Sequence, residues 1–383
     1  MLYIHIPFCK SKCIYCDFYS GGNPQWQKYI KAVVSELSLR INELKDDSLS
    51  SIYIGGGTPS LIPEEDFLIF MDGIYSCLES NGISITTDTE ITLEVNPEDV
   101  TKNKIEAWKS KGVNRISMGV QSLNDEELKI IKRRHNAQKA LSSLEQIKKA
   151  FENFSIDLMY GLPGQTHSSL EASLKSLLEF HPPHISIYSL TFEEGTPLTI
   201  LRDRKEISEA GEDEFINYNN IIQKQLADNG YERYEISNYS LPGFRSRHNS
   251  GYWTGKPYLG LGPSASSFDG DKIRRSNPAD LKKYLEYFEN PNNKSNKFYI
   301  EEQLSQEEQV EECIFLSLRT SDGLSLNTLT SKFGDKLKHR IMQVANDWIN
   351  SEHIKLDEER LILTPKGFDI SDYIILDLIG KME

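Results

Sequence analysis

Six short, apolar, β-branched runs recur along the first half of the chain, and stretches with helical spacing fill most of the gaps between them. The six strand-like runs begin near Leu2, Ser51, Glu90, Asn114, Ser155 and His184. Apolar residues recur at helical spacing over residues 26–44, 64–78, 102–109, 137–151 and 168–180. Strands that alternate with helices predict a parallel sheet, and six units are too few to close an eight-stranded barrel. We therefore predict an α/β fold in which residues 1–205 form a partial (β/α)6 barrel, open on one side.

Residues 206–300 have a looser pattern, which we interpret as an extension that closes the barrel. A long polar helix is predicted over residues 209–229, and a strand over residues 231–236. An aromatic and glycine-rich stretch over residues 238–268 comes next. Its most glycine-rich part, residues 259–265, lacks the flanking strand and helix of a dinucleotide-binding loop. We expect that part to close the open side of the barrel, near the cavity.

The tail over residues 301–383 differs from the rest of the chain in its order of predicted elements. Residues 291–296 before it have the composition of a linker. Three helices and then two strands are predicted in the tail, over residues 306–318, near 326, 337–350, 354–356 and 361–363. This is the order of a winged-helix-like α+β domain, which suggests DNA binding. The tail carries 17 acidic and 9 basic side chains, however, and phosphate binding relies on clustered basic residues. We therefore predict that it serves as a lid or a partner-docking module.

The overall composition predicts a soluble globular protein. Hydrophobic residues make up 38% of the chain and charged residues 26%. No stretch approaches the roughly 20 apolar residues of a membrane helix, and the first residues alternate like a strand and unlike a signal peptide. The net charge of −14 argues against a nucleic acid partner and against strong binding to anionic lipid. We expect a cytoplasmic protein.

Three of the five cysteines lie together at the end of the first predicted strand. Cys9, Cys13 and Cys16 form a C-x3-C-x2-C run, which can supply three ligands of a [4Fe-4S] cluster and leave one iron open. Structural zinc is the alternative, but it usually takes four ligands at paired spacings, and no second pair follows. Cys77 and Cys313 lie alone in apolar, helical stretches, where we expect them to be packing residues. A thiolate-bound cluster also fits a reducing cytoplasm.

The cysteine run and its neighbours resemble the radical S-adenosylmethionine (SAM) superfamily. The sequence Y-I-H-I-P-F over residues 3–8, with Asp17 and Phe18 after the last cysteine, is similar to one branch of it. That branch holds the anaerobic coproporphyrinogen III dehydrogenases and the related haem chaperones. The resemblance implies a three-quarter (β/α)6 barrel in which the amine and carboxylate of SAM chelate the open iron. A reduced cluster can then cleave the sulfonium to give a 5'-deoxyadenosyl radical.

A glycine run and an arginine are the first two candidates for a SAM site. Gly56, Gly57 and Thr58 follow the second predicted strand, and in such barrels the reactive face lies at the carboxyl ends of the strands. The resemblance implies that this run holds the SAM amino group through backbone carbonyls. Arg133, or Arg134 beside it, matches the family arginine that pairs with the SAM carboxylate, a task that suits a planar bidentate donor.

Three more polar residues lie near the ends of the third, fourth and fifth predicted strands, and a tyrosine lies in the cysteine run. The strand-end residues are Glu94, Gln121 and Asp157. Carboxylates among apolar strand residues are costly without a partner, and the SAM sulfonium and ribose hydroxyls would supply partners. Tyr15, between two of the cysteines, is expected either to cover the adenine or to shield the cluster.

Two features separate the members of the branch. The dehydrogenase pattern has a fourth cysteine two residues after the third, where this chain has Phe18. Residues 248–253 read H-N-S-G-Y-W and match the H-N-x-x-Y-W motif of the haem chaperones. Imidazole is a good axial ligand for haem iron, so His248 is a candidate haem ligand. An ordinary half-buried aromatic cluster is the alternative interpretation.

The resemblance therefore implies a haem chaperone that binds a [4Fe-4S] cluster, SAM and haem, and delivers haem to an apo-haemoprotein, with transient contact with a membrane. The alternative is an oxygen-independent coproporphyrinogen III dehydrogenase, so the sequence leaves open whether the protein is an enzyme. A radical SAM enzyme with an unrelated substrate is a third hypothesis, because fold and cofactor do not fix the substrate. The oligomeric state is also open, and a homodimer is one alternative.

Overall fold

Six parallel strands in sequential order form the wall of an open barrel. The computed structural model describes residues 1–290 and 297–380, so the predicted linker over residues 291–296 lies outside it. The six strands are Leu2–Ile6 (β1), Ser51–Gly56 (β2), Glu90–Val95 (β3), Arg115–Gln121 (β4), Asn153–Tyr160 (β5) and His184–Ser189 (β6). Each pairs in parallel with the next, from β1 to β6. The predicted α/β fold with a partial barrel is confirmed.

Helices cover the outside of this wall and connect its strands. They are Trp26–Arg40 (α1), Glu64–Ser80 (α2), Lys102–Ser110 (α3), Asp125–Ile130 (α4), Ala137–Ala150 (α5), His167–Leu178 (α6) and Pro197–Asp203 (α7). Short 3-10 turns occur at Ile41–Glu43, Pro59–Leu61 and Pro97–Asp99. α4 and α7 fall outside the predicted helices because each spans two turns or fewer, too short for a periodic pattern. α4 is stabilised instead by the side chain of Asn124, which caps its first amides.

The two faces of the wall differ in chemistry. On β4, Ile116, Met118 and Val120 are fully buried on the face that packs against the helices. The alternate positions, Arg115 and Ser117, point to the inside of the barrel, because successive side chains of a strand point to opposite faces. The same alternation recurs on the neighbouring strands, so the hydrophobic core lies outside the wall and the barrel interior is polar.

Additional strands extend the sheet at both edges of the barrel. Glu232–Arg233 (β7) and Asn238–Ser240 (β8) follow a helix at Glu212–Asp228 (α8), and β8 pairs antiparallel with β6. At the opposite edge, Leu259–Leu261 (β9) pairs in parallel with β1. The sheet thus has nine strands, in the order β7-β8-β6-β5-β4-β3-β2-β1-β9. The glycine-rich segment expected to close the open side therefore begins as an edge strand beside β1.

The rest of the extension packs against this edge. Its elements are Arg247–Trp253 (α9), Ser266–Phe268 (β10), Ile273–Ser276 (β11), Leu281–Glu289 (α10) and Ile300–Gln303 (β12). β10, β11 and β12 form a small antiparallel sheet. A fully buried carboxylate, that of Glu36 on α1, joins the parts: it accepts hydrogen bonds from Arg40, Asn277, Tyr284 and the amide of Gly262.

The tail has a hydrophobic core of its own. Its elements are Gln306–Leu318 (α11), Leu324–Ser325 (β13), Leu326–Phe333 (α12), Asp335–Asn350 (α13), Ile354–Asp357 (β14), Arg360–Leu363 (β15), Pro365–Asp369 (α14) and Ser371–Gly380 (α15). The strands form a sheet in the order β13-β15-β14, which confirms the winged-helix-like arrangement. Within residues 1–290 and 297–380, no helix has the length and apolar character needed to cross a membrane.

Candidate cluster and cofactor site

The three cysteines of the run lie on one loop at the carboxyl end of β1, and all three are half-buried. The loop is tied down at several points. The amide of Gly21 donates to the carbonyl of Pro7 at 2.8 Å, and that of Cys16 to the carbonyl of Cys13 at 3.2 Å. The buried side chain of Ile14 and a bond from the Leu198 amide to its carbonyl fix the centre of the loop. The thiols are thus held in place and remain accessible.

Two polar side chains reach the thiols from neighbouring loops: Thr58 follows β2, and Arg133 lies between α4 and α5. The Thr58 hydroxyl donates to Cys9 Sγ at 3.4 Å, and Arg133 Nη1 donates to Cys13 Sγ at 3.5 Å. Among the described residues, no three His, Cys, Asp or Glu side chains converge closely enough to hold a single metal ion. A [4Fe-4S] cluster is a larger body, and each thiolate binds a different iron. The three cysteines of the C-x3-C-x2-C run remain the predicted cluster ligands, and they lie together on one loop.

The structure distinguishes between the two candidate arginines. Arg133 Nη2 donates to Asn96 Oδ1 and to the carbonyl of Gly119, both at 2.7 Å, and its buried Nε has no partner within the described residues. Arg134 instead points away and forms an ion pair with Glu98 at 3.3 Å. Arg133 is thus the guanidinium beside the cysteine loop, and its Nε can still donate to a ligand.

The run at Gly56 and Gly57 lies so close to β1 that only glycine fits there. Gly56 has a φ of 105°, and a Cβ there would lie 2.6 Å from the ring of His5. The amide of Gly57 donates to the carbonyl of Ile6 at 2.7 Å, and a Cβ on Gly57 would lie 3.1 Å from Cys9 Sγ. Only glycine allows this conformation and this contact, so the run brings bare backbone next to the cysteine loop.

Glu94 and Asp157 are both half-buried and point to the barrel interior. Glu94 accepts from the Tyr53 hydroxyl at 2.8 Å and from the amide of Gly56 at 3.0 Å. Burial, together with the nearby charge of Asp157, raises the pKa of Glu94 to about 7. Asp157 accepts from the Ser117 hydroxyl at 3.1 Å, and burial raises its pKa as well. A cationic ligand between them would offset the cost of their charge.

Gln121 ends β4 in a strained conformation. Its φ of 68° is rare for a residue other than glycine, and the register with β5 shifts between Gly119 and Gln121. A Cβ on Gly119 would lie 2.9 Å from Gln121 Nε2, so the amide folds back over the strand. Such strained positions cluster at ligand sites.

Tyr15 packs against a small apolar cluster beneath the cysteine loop. The cluster consists of Ile14, Ile131, Met159, Leu162, Leu190 and Leu198. Burial raises the pKa of the Tyr15 hydroxyl, so the group stays neutral and can act only as a hydrogen-bonding or packing group. This position fits the shielding role, and it leaves the adenine contact as a prediction.

Tyr188 also lines the carboxyl end of the barrel, and the sequence did not predict it. Tyr188 on β6 is 41% exposed, although it shares a strand face with His184 and Ser186, which are buried inside the barrel. Its exposed surface therefore faces the barrel interior. The alternation of side chains along β6 could have indicated that Tyr188 faces the barrel interior. A tyrosine at a strand end more often packs against a neighbour, however.

His248 lies at the opposite end of the barrel from the cysteines. It is 1% exposed. Its Nδ1 is 2.8 Å from the hydroxyl of Ser51, the first residue of β2, and its Nε2 is 2.8 Å from the Tyr252 hydroxyl. Both ring nitrogens are thus engaged, and in this conformation neither can ligate haem iron. The interpretation of His248 as a haem ligand is not supported by this geometry; a buried aromatic cluster describes its surroundings.

Comparison with known proteins agrees with this architecture. The radical SAM superfamily model matches residues 3–177, and the HemN C-terminal domain model matches residues 304–370. The chain is 35% identical to the heme chaperone HemW of Lactococcus lactis, over 97% of this chain and 95% of that protein. It is 33% identical to the heme chaperone HemW of Bacillus subtilis, over 99% of both.

A solved structure shows the same fold. Coproporphyrinogen III oxidase (HemN) from Escherichia coli, described as a radical SAM enzyme, superposes with a TM-score of 0.81 at 22% identity, covering 100% of this chain and 90% of that one. At this identity the likeness concerns the fold alone. The relatives that are more than 30% identical over nearly their whole length carry the assignment: the chain belongs to the HemW family within the radical SAM superfamily.

Proposed function

We propose that this protein is a haem chaperone that carries a [4Fe-4S] cluster and SAM in its barrel and delivers haem to an apo-haemoprotein. The observation that carries the proposal is the three-cysteine loop, tied at both ends, with the Arg133 guanidinium 3.5 Å from Cys13 Sγ. Three thiolates leave one iron of a cluster open for a ligand. The relatives named heme chaperone HemW supply the haem-delivery part of the proposal.

In this proposal each group at the carboxyl ends of the strands has a task. Cys9, Cys13 and Cys16 hold the cluster, and bound SAM would supply the capacity for radical chemistry. The Arg133 guanidinium pairs with the SAM carboxylate. Glu94 and Asp157 face the cationic and hydroxyl groups of SAM, and the bare backbone of the glycine run allows close approach.

We assign these tasks to parts of the chain. Residues 1–205 would form the cluster and SAM barrel, residues 206–300 the extension that closes it, and residues 301–383 a docking module for the acceptor. The acidic surface of the tail argues for a protein partner with a basic patch and against nucleic acid. A thiolate-bound cluster is stable in a reducing compartment, which fits a protein of the cytoplasm.

Haem delivery is favoured over coproporphyrinogen decarboxylation by one position. The residue two after Cys16 is Phe18, which is 68% exposed beside the cysteine loop. The dehydrogenase pattern has a cysteine there. An exposed phenyl ring contributes no ligand, and it offers an apolar surface at the barrel mouth.

The test is an anaerobic titration of the cluster-reconstituted protein with haemin, followed by mixing with apomyoglobin. We expect saturable binding, seen as a shifted Soret band, and then transfer of haem to apomyoglobin faster than from serum albumin at the same haem load. Protein that binds haem without transferring it would contradict the chaperone role. Protein that binds no haem and converts coproporphyrinogen III would establish the dehydrogenase instead.

A further inference from the structure

The H-N-x-x-Y-W segment forms a helix that seals the amino-terminal end of the barrel. This helix, α9, is held by the carboxylate of Glu90, the first residue of β3. The carboxylate accepts from the amides of Arg247 and His248 at 2.9 and 3.1 Å. Glu90 is 5% exposed, so the contact is out of water and strong. The segment is thereby fixed at the end of the barrel farthest from the cysteine loop.

The side chain of His248 enters the barrel from this end. Its two ring nitrogens are 2.8 Å from the hydroxyls of Ser51 and Tyr252. Burial lowers the pKa of His248 to about 3, so the ring is neutral. A neutral imidazole with a partner on each nitrogen has one fixed orientation, and it presents a flat face to the next side chain up the barrel.

That side chain is Tyr53, which contacts Glu94 of the proposed SAM site. The rings of Tyr53 and His248 stack with centroids 4.9 Å apart and an angle of 27° between their planes. The Tyr53 hydroxyl then donates to Glu94 Oε1 at 2.8 Å. Since the amide of Gly56 holds the other oxygen of Glu94 at 3.0 Å, the carboxylate has two fixed donors, one of which depends on the position of the Tyr53 ring.

We propose that His248 and Tyr53 are positioning residues for SAM, and that the H-N-x-x-Y-W helix aligns Glu94 from behind. This inference rests on the proposed role of Glu94 at the SAM site. His248 fixes the ring of Tyr53 by stacking, and Tyr53 fixes the carboxylate by its hydroxyl. The motif would thus affect cofactor binding through the barrel interior without contact between His248 and haem iron.

The protonation of Glu94 should make the affinity for SAM depend on pH. The titratable and charged groups that act on Glu94 from the surrounding elements are Tyr3, Tyr53, Arg115, Asp157, Tyr188 and Tyr252. Glu94 must be ionised to attract a cationic ligand, so SAM affinity should rise with pH around the pKa of Glu94, about 7. The Tyr53 hydrogen bond lowers that pKa, and its loss should move the rise to higher pH.

The experiment measures SAM affinity by anaerobic equilibrium dialysis from pH 6 to pH 9, together with the haem Soret spectrum. Variants are His248→Ala, His248→Phe and Tyr53→Phe, all loaded with cluster. We expect His248→Ala to weaken SAM binding about tenfold. His248→Phe should recover part of that loss, because a phenyl ring can stack on Tyr53 although it lacks the two hydrogen bonds, and it cannot ligate iron. Tyr53→Phe should weaken SAM binding and shift its pH profile upward.

Tyr231→Phe is the matched control, because it removes a buried hydroxyl that donates to the carbonyl of Pro182, away from Glu94. It should leave SAM affinity and its pH profile unchanged. Unchanged SAM binding in both His248→Ala and Tyr53→Phe would overturn the inference. A Soret spectrum lost equally in His248→Ala and His248→Phe, with SAM binding intact, would also overturn it and make His248 a haem ligand. Wild-type protein that fails to bind SAM would refute the proposed function itself.

Discussion

The two ends of the barrel are built on opposite principles. At the carboxyl end, three half-buried thiols, a partly unpartnered Arg133, the bare backbone of Gly56 and the strained Gln121 leave polar groups available to a ligand. At the amino end, Glu90 and His248 are almost fully buried, and each has its hydrogen bonds within the protein. Groups that already have partners hold a fold together, and groups without them are ready to bind.

The H-N-x-x-Y-W motif lies at the amino end of the barrel, away from the cysteines. A histidine in a motif of haem chaperones is a candidate iron ligand. The structure places it where every polar atom is satisfied. The motif is connected to the reactive end through Tyr53 and Glu94, and the predictions below separate the two ends.

The largest effect should follow removal of a thiol at the open end. Cys9→Ala should abolish the visible absorbance of the reconstituted cluster, because two remaining thiolates on the loop do not hold it. Cys77→Ala is the control, and it should keep the full absorbance. Iron and sulfide analysis checks both. A complete cluster in Cys9→Ala would refute the ligand assignment.

The next effect concerns pH and the stability of the cluster-free protein. The pKa of Glu94 is about 7 in the folded state, above its ordinary value of 4.5. The folded protein therefore holds this proton more tightly than the unfolded chain does, so the contribution of Glu94 to stability falls as pH rises from about 4.5 to about 7. The loss is at most about 3 kcal/mol, and less where water in the barrel screens the charge.

Urea unfolding at pH 5 and pH 7.5 measures this contribution. Glu94→Gln should show a smaller drop in the free energy of unfolding across this range than the wild type. Glu106→Gln, at a side chain that is 64% exposed, should behave like the wild type. An identical drop in Glu94→Gln and the wild type would mean that Glu94 does not titrate as described.

A smaller effect should appear at the sealed end. Glu90→Ala removes the acceptor for two amides of α9, one of them buried, and we expect a loss of about 2 kcal/mol in the free energy of unfolding. Glu90→Gln keeps one acceptor oxygen and should lose about half as much. Urea unfolding at pH 7.5 tests this. Equal stability of Glu90→Ala and the wild type would show that the packing of α9 does not depend on Glu90.

The smallest effect is a comparison of neighbouring arginines. Arg133→Lys keeps the charge and removes the planar donor pair, so SAM should bind about tenfold more weakly, which corresponds to about 1.4 kcal/mol. Arg134→Lys should change SAM affinity little because Arg134 pairs with Glu98 instead. Equilibrium dialysis measures both, and an equal loss in the two variants would argue for a general electrostatic effect.

Local patterns were sufficient to predict much of the molecule. The starts of the six strands were predicted within about two residues, and α11 was predicted at its observed bounds, Gln306–Leu318, because their periodicity and start signals lie in contiguous sequence. The cysteine loop is local for the same reason: its three thiols are within eight residues of one another. Short elements such as α4 were not predicted, because one cap and six residues carry too little pattern.

What the sequence determined by itself is the cysteine spacing, the alternation of strands and helices, and the family to which the chain belongs. Only the tertiary structure decided which arginine faces the cysteines, that Tyr188 opens onto the barrel interior, and that His248 is sealed at the far end. The physical reason is the range of the contacts. His248 meets Ser51 across 197 positions of the chain and Arg133 meets Cys13 across 120, and such contacts depend on how the strands assemble, which no local pattern records.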